Sequence, residues 1–305
     1  HEEMMTLTLL IVSRALFDSD VSASTDRVKD SLDVGLKHFN SGQSRLIPEW
    51  FPTPGNLRFE QAARQLDEIV YGFIRQRRTD SNSYGDLLDT LLHARDEDGN
   101  QMTDRQLRDE IMTIFLAGHE TTANALSWTW MLLSLNPEVE AHLHTELEEA
   151  LHGRTPTVED LPALSYNRRV IQESLRLYPP AYIIGREASQ DVKIGGNSLP
   201  AGTNFLMSQW VVHHDERFFP EPERFQPERW TPESSASLPT YAYFPFGGGP
   251  RLCIGKPFAL QEAELVLATM AQHWQLRLLN PQAVAPQPSI TLRPRGGIHM
   301  VAERR

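Results

Sequence analysis

The sequence predicts a mainly α fold with small β-sheets, an α+β domain, and three observations carry that prediction. Apolar residues recur at helical spacing through most of the first 180 positions. From position 190 onward, short β-prone runs alternate with glycine and proline turns. Within that second part a proline-rich stretch, 215–245, leads into a glycine-lined turn around the one cysteine of the chain and then into an apolar helical run.

The first helix is read over Glu2–Phe17, where Met5, Leu9, Val12 and Leu16 share a face. A second spans Thr25–Phe39. Ser41–Asn56 is a loop, because Gly42, Pro48, Pro52, Pro54 and Gly55 break it; with Leu46, Ile47, Trp50 and Phe51 it is apolar, and so is either packed down or a mobile lid. Helices follow near Arg58–Arg78 and Tyr84–Arg95, then a polar turn, Asp96–Asn100. Thr103 and Gln106 have capping-box spacing. They open the longest run, about 30 residues and roughly 45 Å, which ends at Asn136-Pro137. Pro137–Leu151 and Leu164–Tyr178 are helices stopped by Gly153 and by Pro179-Pro180.

Val192–Ile194 and Ser198–Leu199 around Gly195-Gly196-Asn197 read as a hairpin, and Asn204–Met207 as a further strand. The stretch 215–245 is irregular. A helix over Phe258–Trp274 comes next, followed by strands at Gln275–Leu279, Ser289–Leu292 and Ile298–Ala302. We read the whole, 1–305, as one domain, helix-rich over 1–180 and β-rich or irregular over 181–305.

Composition narrows the function. With 40% hydrophobic residues in 305, a sizeable core forms. A net charge of −11 argues against a nucleic-acid binder, which would carry a basic face. One cysteine excludes an internal disulfide and fits the cytoplasm. No run approaches 18 consecutive apolar residues, so no membrane segment is expected. The chain opens at His1, inside a helical pattern, so an anchor or targeting segment could precede it.

The chemistry concentrates in Phe246-Gly-Gly-Gly-Pro-Arg-Leu-Cys-Ile-Gly255. Glycines let the backbone approach a bulky ligand closely. Cys253 lies just before a helix N-terminus, at the positive end of its dipole, and Arg251 adds a cation. The set suits a sulfur that ligates a metal while a flat anionic cofactor lies against the loop. Glu173 and Arg176 share a helix face. In Ala117-Gly118-His119-Glu120-Thr121-Thr122, glycine weakens the middle of the long helix, and a mid-helix threonine can bond back to the carbonyl four residues earlier and bend it. His142 and His144, two apart on a helix, point apart and read, with His152, as solvated.

The pattern Phe-x-x-Gly-x-Arg-x-Cys-x-Gly, over Phe246, Gly249, Arg251, Cys253 and Gly255, resembles the haem-binding loop of the cytochrome P-450 family, the haem-thiolate monooxygenases. The resemblance extends to Glu173-x-x-Arg176, to Pro227-Glu228-Arg229-Trp230, where Trp stands for the usual Phe, and to Ala117-Gly118-x-x-Thr121. It implies the cytochrome P-450 fold, here without the N-terminal part that members normally carry. It implies haem b (iron protoporphyrin IX) with Cys253 as the metal ligand and Arg186 and Arg251 as propionate partners. Ala117 and Gly118 would leave room over the iron, Thr121 would stabilise bound dioxygen, and Glu120 would deliver protons. Glu173, Arg176 and Arg229 would form a buried structural triad, with Arg224 in the near-duplicate Pro222-Glu223-Arg224-Phe225 as the competing third member. The activity implied is insertion of one oxygen atom of O2 into a small hydrophobic substrate, a fatty acid by the wording of His119–Thr122. Electrons would come from NAD(P)H through a separate ferredoxin or flavin reductase. The competing reading is a truncated, non-catalytic form that binds haem or a protein.

Overall fold

The structure, a computed structural model, describes residues 1–40, 48, 50–80, 82, 84–281 and 284–305. Leu46 and Ile47 of that apolar loop lie outside the described residues; Trp50 and Phe51 are exposed. The chain clusters into two compact units, Glu2–Ala123 and Asn124–Arg305, the latter including His1.

The unit Glu2–Ala123 is helical. It contains α1 (Glu2–Phe17), α2 (Thr25–Asn40), α3 (Pro54–Thr79), α4 (Leu87–His93) and the first part of α5 (Asp104–Leu135). Of the periodic positions read in α1, Met5, Leu9 and Val12 are buried and Leu16 is half-buried; Val28, Val70, Ile111 and Phe115 have no exposed surface and complete the core. The Phe73 ring lies 5.8 Å from that of Phe17 and 5.9 Å from that of Phe115, within the aromatic-pair range.

α3 starts earlier than expected, because Thr53 caps it: its hydroxyl accepts from the Asn56 N–H at 3.0 Å, and Pro54 takes the first turn, where its missing N–H costs nothing. α4 is shorter than expected. Asp86 caps it, and the N–H groups of Tyr84 and Gly85 both donate to the Asp89 carboxylate, at 2.6 and 2.9 Å, which turns the chain before the helix begins. Arg77, near the end of α3, donates to Asp86, to Asp89 and to the Phe17 carbonyl, with the Tyr84 ring over its guanidinium. The capping box of α5 is present, with Thr103 and Gln106 each accepting the other's N–H.

The unit Asn124–Arg305 holds the rest of α5, then α6 (Pro137–Leu151) and α7 (Ser165–Leu177). β1 (Ile184–Glu187), β2 (Val192–Ile194), β3 (Asn197–Leu199) and β4 (Asn204–Met207) follow, then α8 (Gln209–His213), α9 (Pro232–Ser237) and α10 (Lys256–Ala271). β5 (Trp274–Leu278), β6 (Pro286–Pro288), β7 (Leu292–Pro294) and β8 (Met300–Arg304) complete it. The sheets are antiparallel pairs: β1 with β4, β2 with β3, β5 with β8 and β6 with β7. Trp128, Leu143, Leu147, Val170 and Leu267 are fully buried, and the Trp128 ring stacks on Tyr178 at 4.2 Å.

Several expectations shift. β1 is a strand that periodicity does not predict; its pairing with β4 is non-local, and four residues carry too little period to show it. The hairpin turn is Gly195-Gly196 alone, both at positive φ, so Asn197 belongs to β3. The proline-rich stretch is not wholly irregular: Pro227–Trp230 forms a 3-10 turn and Pro232–Ser237 makes α9. The expected strand Ser289–Leu292 is instead largely the turn between β6 and β7. The last helix runs over Lys256–Ala271, and Trp274 opens β5. His144 is not solvated: α6 turns it inward to 6% exposure while His142 stays outside. Among the described residues no helix is long and apolar enough to cross a membrane.

Candidate functional site

The cysteine turn is built by backbone bonds that only a glycine-rich segment can make. Gly247 and Gly249 adopt φ of +74° and +66°, conformations that cost an L side chain energy. The Gly247 N–H donates to the Phe244 carbonyl at 2.9 Å, and the Cys253 N–H donates to the Phe246 carbonyl at 3.0 Å. Gly248 has a steric reason as well. A Cβ there would fall 2.3 Å from Cε1 of Tyr241, whose ring leans on the turn. Gly255 caps α10, and a Cβ on it would sit 3.8 Å from the Cys253 sulfur.

The thiol that this turn presents is exposed. Arg251, in the 3-10 turn Gly249–Arg251, is exposed beside it, as are Leu252 and Ile254. β1 runs next to the turn, with Ile184 Cδ1 3.9 Å from where a Gly247 Cβ would stand. Arg186, two residues on, takes the same face of β1, is exposed, and donates one N–H to the Gly185 carbonyl at 2.7 Å. One exposed sulfur, two exposed guanidinium groups and apolar side chains around a glycine turn fit a flat, apolar, anionic macrocycle. No group of three or more His, Cys, Asp or Glu that could hold a metal ion occurs among the described residues. A bare ion would find too few ligands here, whereas an iron already held by a macrocycle needs one.

Behind the turn lies a buried ion network. Glu173 and Arg176 on α7 are both fully buried and paired twice, Nε to Oε2 at 2.9 Å and Nη2 to Oε1 at 2.8 Å. Arg229 completes the set, its Nε 3.1 Å from Glu173 Oε1. Arg224 does not reach it: its side chain pairs with Glu221 at the surface, and only its carbonyl takes a bond from Arg176. The carboxylate also accepts the Gln226 N–H at 3.0 Å and the Trp230 indole N–H at 2.9 Å. Sequence reading missed Trp230 as a partner, although its replacement of the usual Phe was the available signal. Tyr243 donates to the Gln172 carbonyl at 3.0 Å, and burial pushes its phenol upward.

His213 was also missed, and nothing local in the sequence marks it. It is fully buried at the end of α8. Its carbonyl accepts from Arg176 Nη1 at 2.9 Å, and its Nε2 accepts the Phe244 N–H at 3.0 Å. Burial first, and the nearby Arg176 charge second, lower its pKa to about 3.

Ala117, Gly118, Glu120 and Thr121 belong to the other unit, on α5. The Thr121 and Thr122 hydroxyls donate to the Ala117 and Gly118 carbonyls, at 2.9 and 3.3 Å, the back-bonding expected of mid-helix threonines. Glu120 is buried at 7% exposure and Thr121 half-buried. Gly118 has a packing role that the sequence reading did not include: a Cβ would meet Val12 Cγ2 of α1 at 2.8 Å. Thr8 of α1 donates to the His119 carbonyl at 2.9 Å, so α1 grips α5 at this point.

Comparison with known proteins gives a consistent picture. The family model for cytochrome P450 matches residues 4–301. Cyclooctat-9-en-7-ol 5-monooxygenase of Streptomyces melanosporofaciens is 41% identical over 95% of this chain and 62% of its own length. Cyclooctatin synthase of the same organism is 37% identical over 99% of this chain and 67% of its own. Pentalenene oxygenase of Streptomyces avermitilis is 37% identical over 93% and 64%. The chain thus spans about two thirds of the length of these relatives.

Proposed function

The chain belongs to the cytochrome P450 family, and on that premise we propose that the protein is a haem-thiolate monooxygenase, inserting one oxygen atom of O2 into a hydrophobic organic substrate. The observation that carries the proposal is the exposed Cys253 sulfur at the head of α10, in a glycine turn flanked by Arg251 and by Arg186 on β1. Haem iron bound there supplies the O2-activating redox chemistry. Cys253 gives the sulfur ligand. Arg251 and Arg186 offset the propionate charges. Phe246, Gly249 and Gly255 let the turn lie close against the ring.

Ala117 adds little bulk to α5, and Gly118 gives the space of a side chain to Val12 of α1. Glu120 supplies protons from a buried carboxyl group, and Thr121 Oγ1 hands them on. The Thr121 hydroxyl donates to the Ala117 carbonyl in the resting arrangement and redirects its hydrogen by rotation about Cβ–Oγ1. Electrons arrive from NAD(P)H through a separate ferredoxin or flavin reductase.

The substrate has an apolar carbon skeleton. The names of two relatives carry cyclooctat-9-en-7-ol and pentalenene, which favour a carbocyclic skeleton over the fatty acid suggested by the wording of His119–Thr122. The test is spectroscopic. The full-length protein, reduced under carbon monoxide, should show the red-shifted Soret band of thiolate ligation, and Cys253→Ser should abolish it. A native protein without that band, or a serine variant that keeps it, ends the proposal. Pentalenene and a long-chain fatty acid, titrated separately, should perturb the ferric Soret band unequally, with pentalenene the stronger.

A further inference from the structure

We infer that His213 is a positioning residue for Cys253, tying the buried Glu173–Arg176–Arg229 network to the cysteine turn through a neutral imidazole. The inference rests on the reading of Cys253 as the haem ligand. It starts from a direction of donation. A backbone N–H can only donate, so the His213 nitrogen 3.0 Å from the Phe244 N–H must offer a lone pair. The ring is therefore neutral and carries its hydrogen on Nδ1, which has no hydrogen-bond partner among the described residues. Leaving a buried donor unpaired costs free energy, and α8 nevertheless holds the ring in place. Tyr243 and Phe244 enclose it, with ring centroids 5.2 and 5.4 Å away.

The same residue is held from the other side. Its carbonyl accepts from Arg176 Nη1, while the Nε and Nη2 groups of the same guanidinium bond Glu173 and the Arg224 carbonyl. A continuous run of hydrogen bonds results: Glu173 to Arg176, Arg176 to the His213 carbonyl, and His213 Nε2 to Phe244. From there the Phe244 carbonyl accepts from Gly247, and the Phe246 carbonyl accepts from Cys253. The approach to the turn is thus anchored in a network with no exposed surface at Glu173 or Arg176. Within the turn itself, the glycines at positive φ supply little rigidity of their own. Without the imidazole lone pair, the Phe244 N–H loses its acceptor, and the segment from Phe244 to Cys253 keeps its internal bonds, the Lys256 N–H on the Cys253 carbonyl and its packing against Tyr241 and Ile184, but not its tie to the buried network.

The test compares His213→Phe, which keeps a ring but no acceptor, with His213→Gln, whose Oε1 can reach where Nε2 stood. Hydrogen exchange is measured on the full-length protein without haem, and carbon-monoxide spectra on the haem-loaded protein. For His213→Phe, amides 244–253 should exchange about tenfold faster or more, the factor that loss of one buried acceptor implies, while amides in α6 keep native rates. The thiolate-type Soret band should lose intensity to a blue-shifted form at equal haem content. His213→Gln should restore both. A residue that merely stabilised the fold would speed exchange in α6 and the turn together and leave the ratio of the two bands unchanged. That result overturns the inference, as does native behaviour of His213→Phe. If His213→Phe does not fold, His213→Asn takes its place: its shorter amide misses Phe244, so Asn and Gln behaving alike also overturns it. A native protein lacking the thiolate band refutes the haem reading itself, and faster exchange at 244–253 would still separate that failure from this one.

Discussion

Trp230 supplies Glu173 with a donor that phenylalanine would remove. Glu173 Oε2 then keeps only the Arg176 Nε bond, at a carboxylate with no exposed surface. Trp230→Phe, though it restores the commoner family wording, should destabilise the protein by about 1–3 kcal/mol, the cost of an unmet buried partner of a charged group. Urea denaturation measures this, and an unchanged midpoint and slope would refute it. The residue scale is also where the sequence is most and least legible. Cys253, Glu173 and Arg176 stood out because their spacing is short and local. Arg229 is the better sequence candidate, but Arg224 also follows Pro-Glu, and only the 3-10 turn Pro227–Trp230 aims Arg229 at Glu173. His213 was invisible because both of its bonds go to positions more than thirty residues away. Thus the cysteine turn could be read from local spacing, whereas what holds it in place is a product of tertiary contact.

At the level of elements, helical period gave α1, α5 and α6 nearly to the residue, because each buries an apolar stripe, and α5 and α6 also have a recognisable cap or stop in Thr103–Gln106, Pro137 and Gly153. β1, β6 and β7 were missed or displaced, because strands of three or four residues owe their existence to a distant partner. The crossing of α1 and α5 is a contact of the same kind. Gly118 reads as a helix weakness until Val12 is seen against it. Gly118→Ala should therefore destabilise by about 1–3 kcal/mol, the range for overpacking, despite alanine's better helix propensity. Val12→Ala alone removes a buried methyl pair and should destabilise too. The double variant should recover part of the loss, giving a favourable coupling of about 0.5 kcal/mol or more in a double-mutant cycle. Additive losses, measured by thermal or urea unfolding, would show that the close approach is not what excludes a side chain at position 118.

For the whole molecule, the two units differ in how acid should reach them. In the unit Asn124–Arg305, burial lowers His213 to about 3 and His144 to about 4, both below the 6.5 of an exposed histidine. The unfolded chain therefore binds more protons than the folded one from about pH 6.5 downward, and each histidine withdraws stability as pH falls. By pH 4 each contributes a loss of roughly 3 kcal/mol at most, at about 1.4 kcal/mol per pH unit. In the unit Glu2–Ala123, the Arg77 guanidinium holds Asp89 at about 2, against 3.8 for a free aspartate. Its stabilising effect is complete above pH 4 and lost only as pH falls from there toward 2. Acid should thus loosen the unit Asn124–Arg305 first. Hydrogen exchange on the haem-free protein, corrected for intrinsic rates, should show α6, α7 and α10 losing protection between pH 6 and 4, while α1, α3 and α4 hold until below about 4. His213→Gln, which cannot titrate, should shift the first transition toward lower pH and leave the second where it is. Simultaneous loss in both units, or a first transition indifferent to the histidine, would overturn this order.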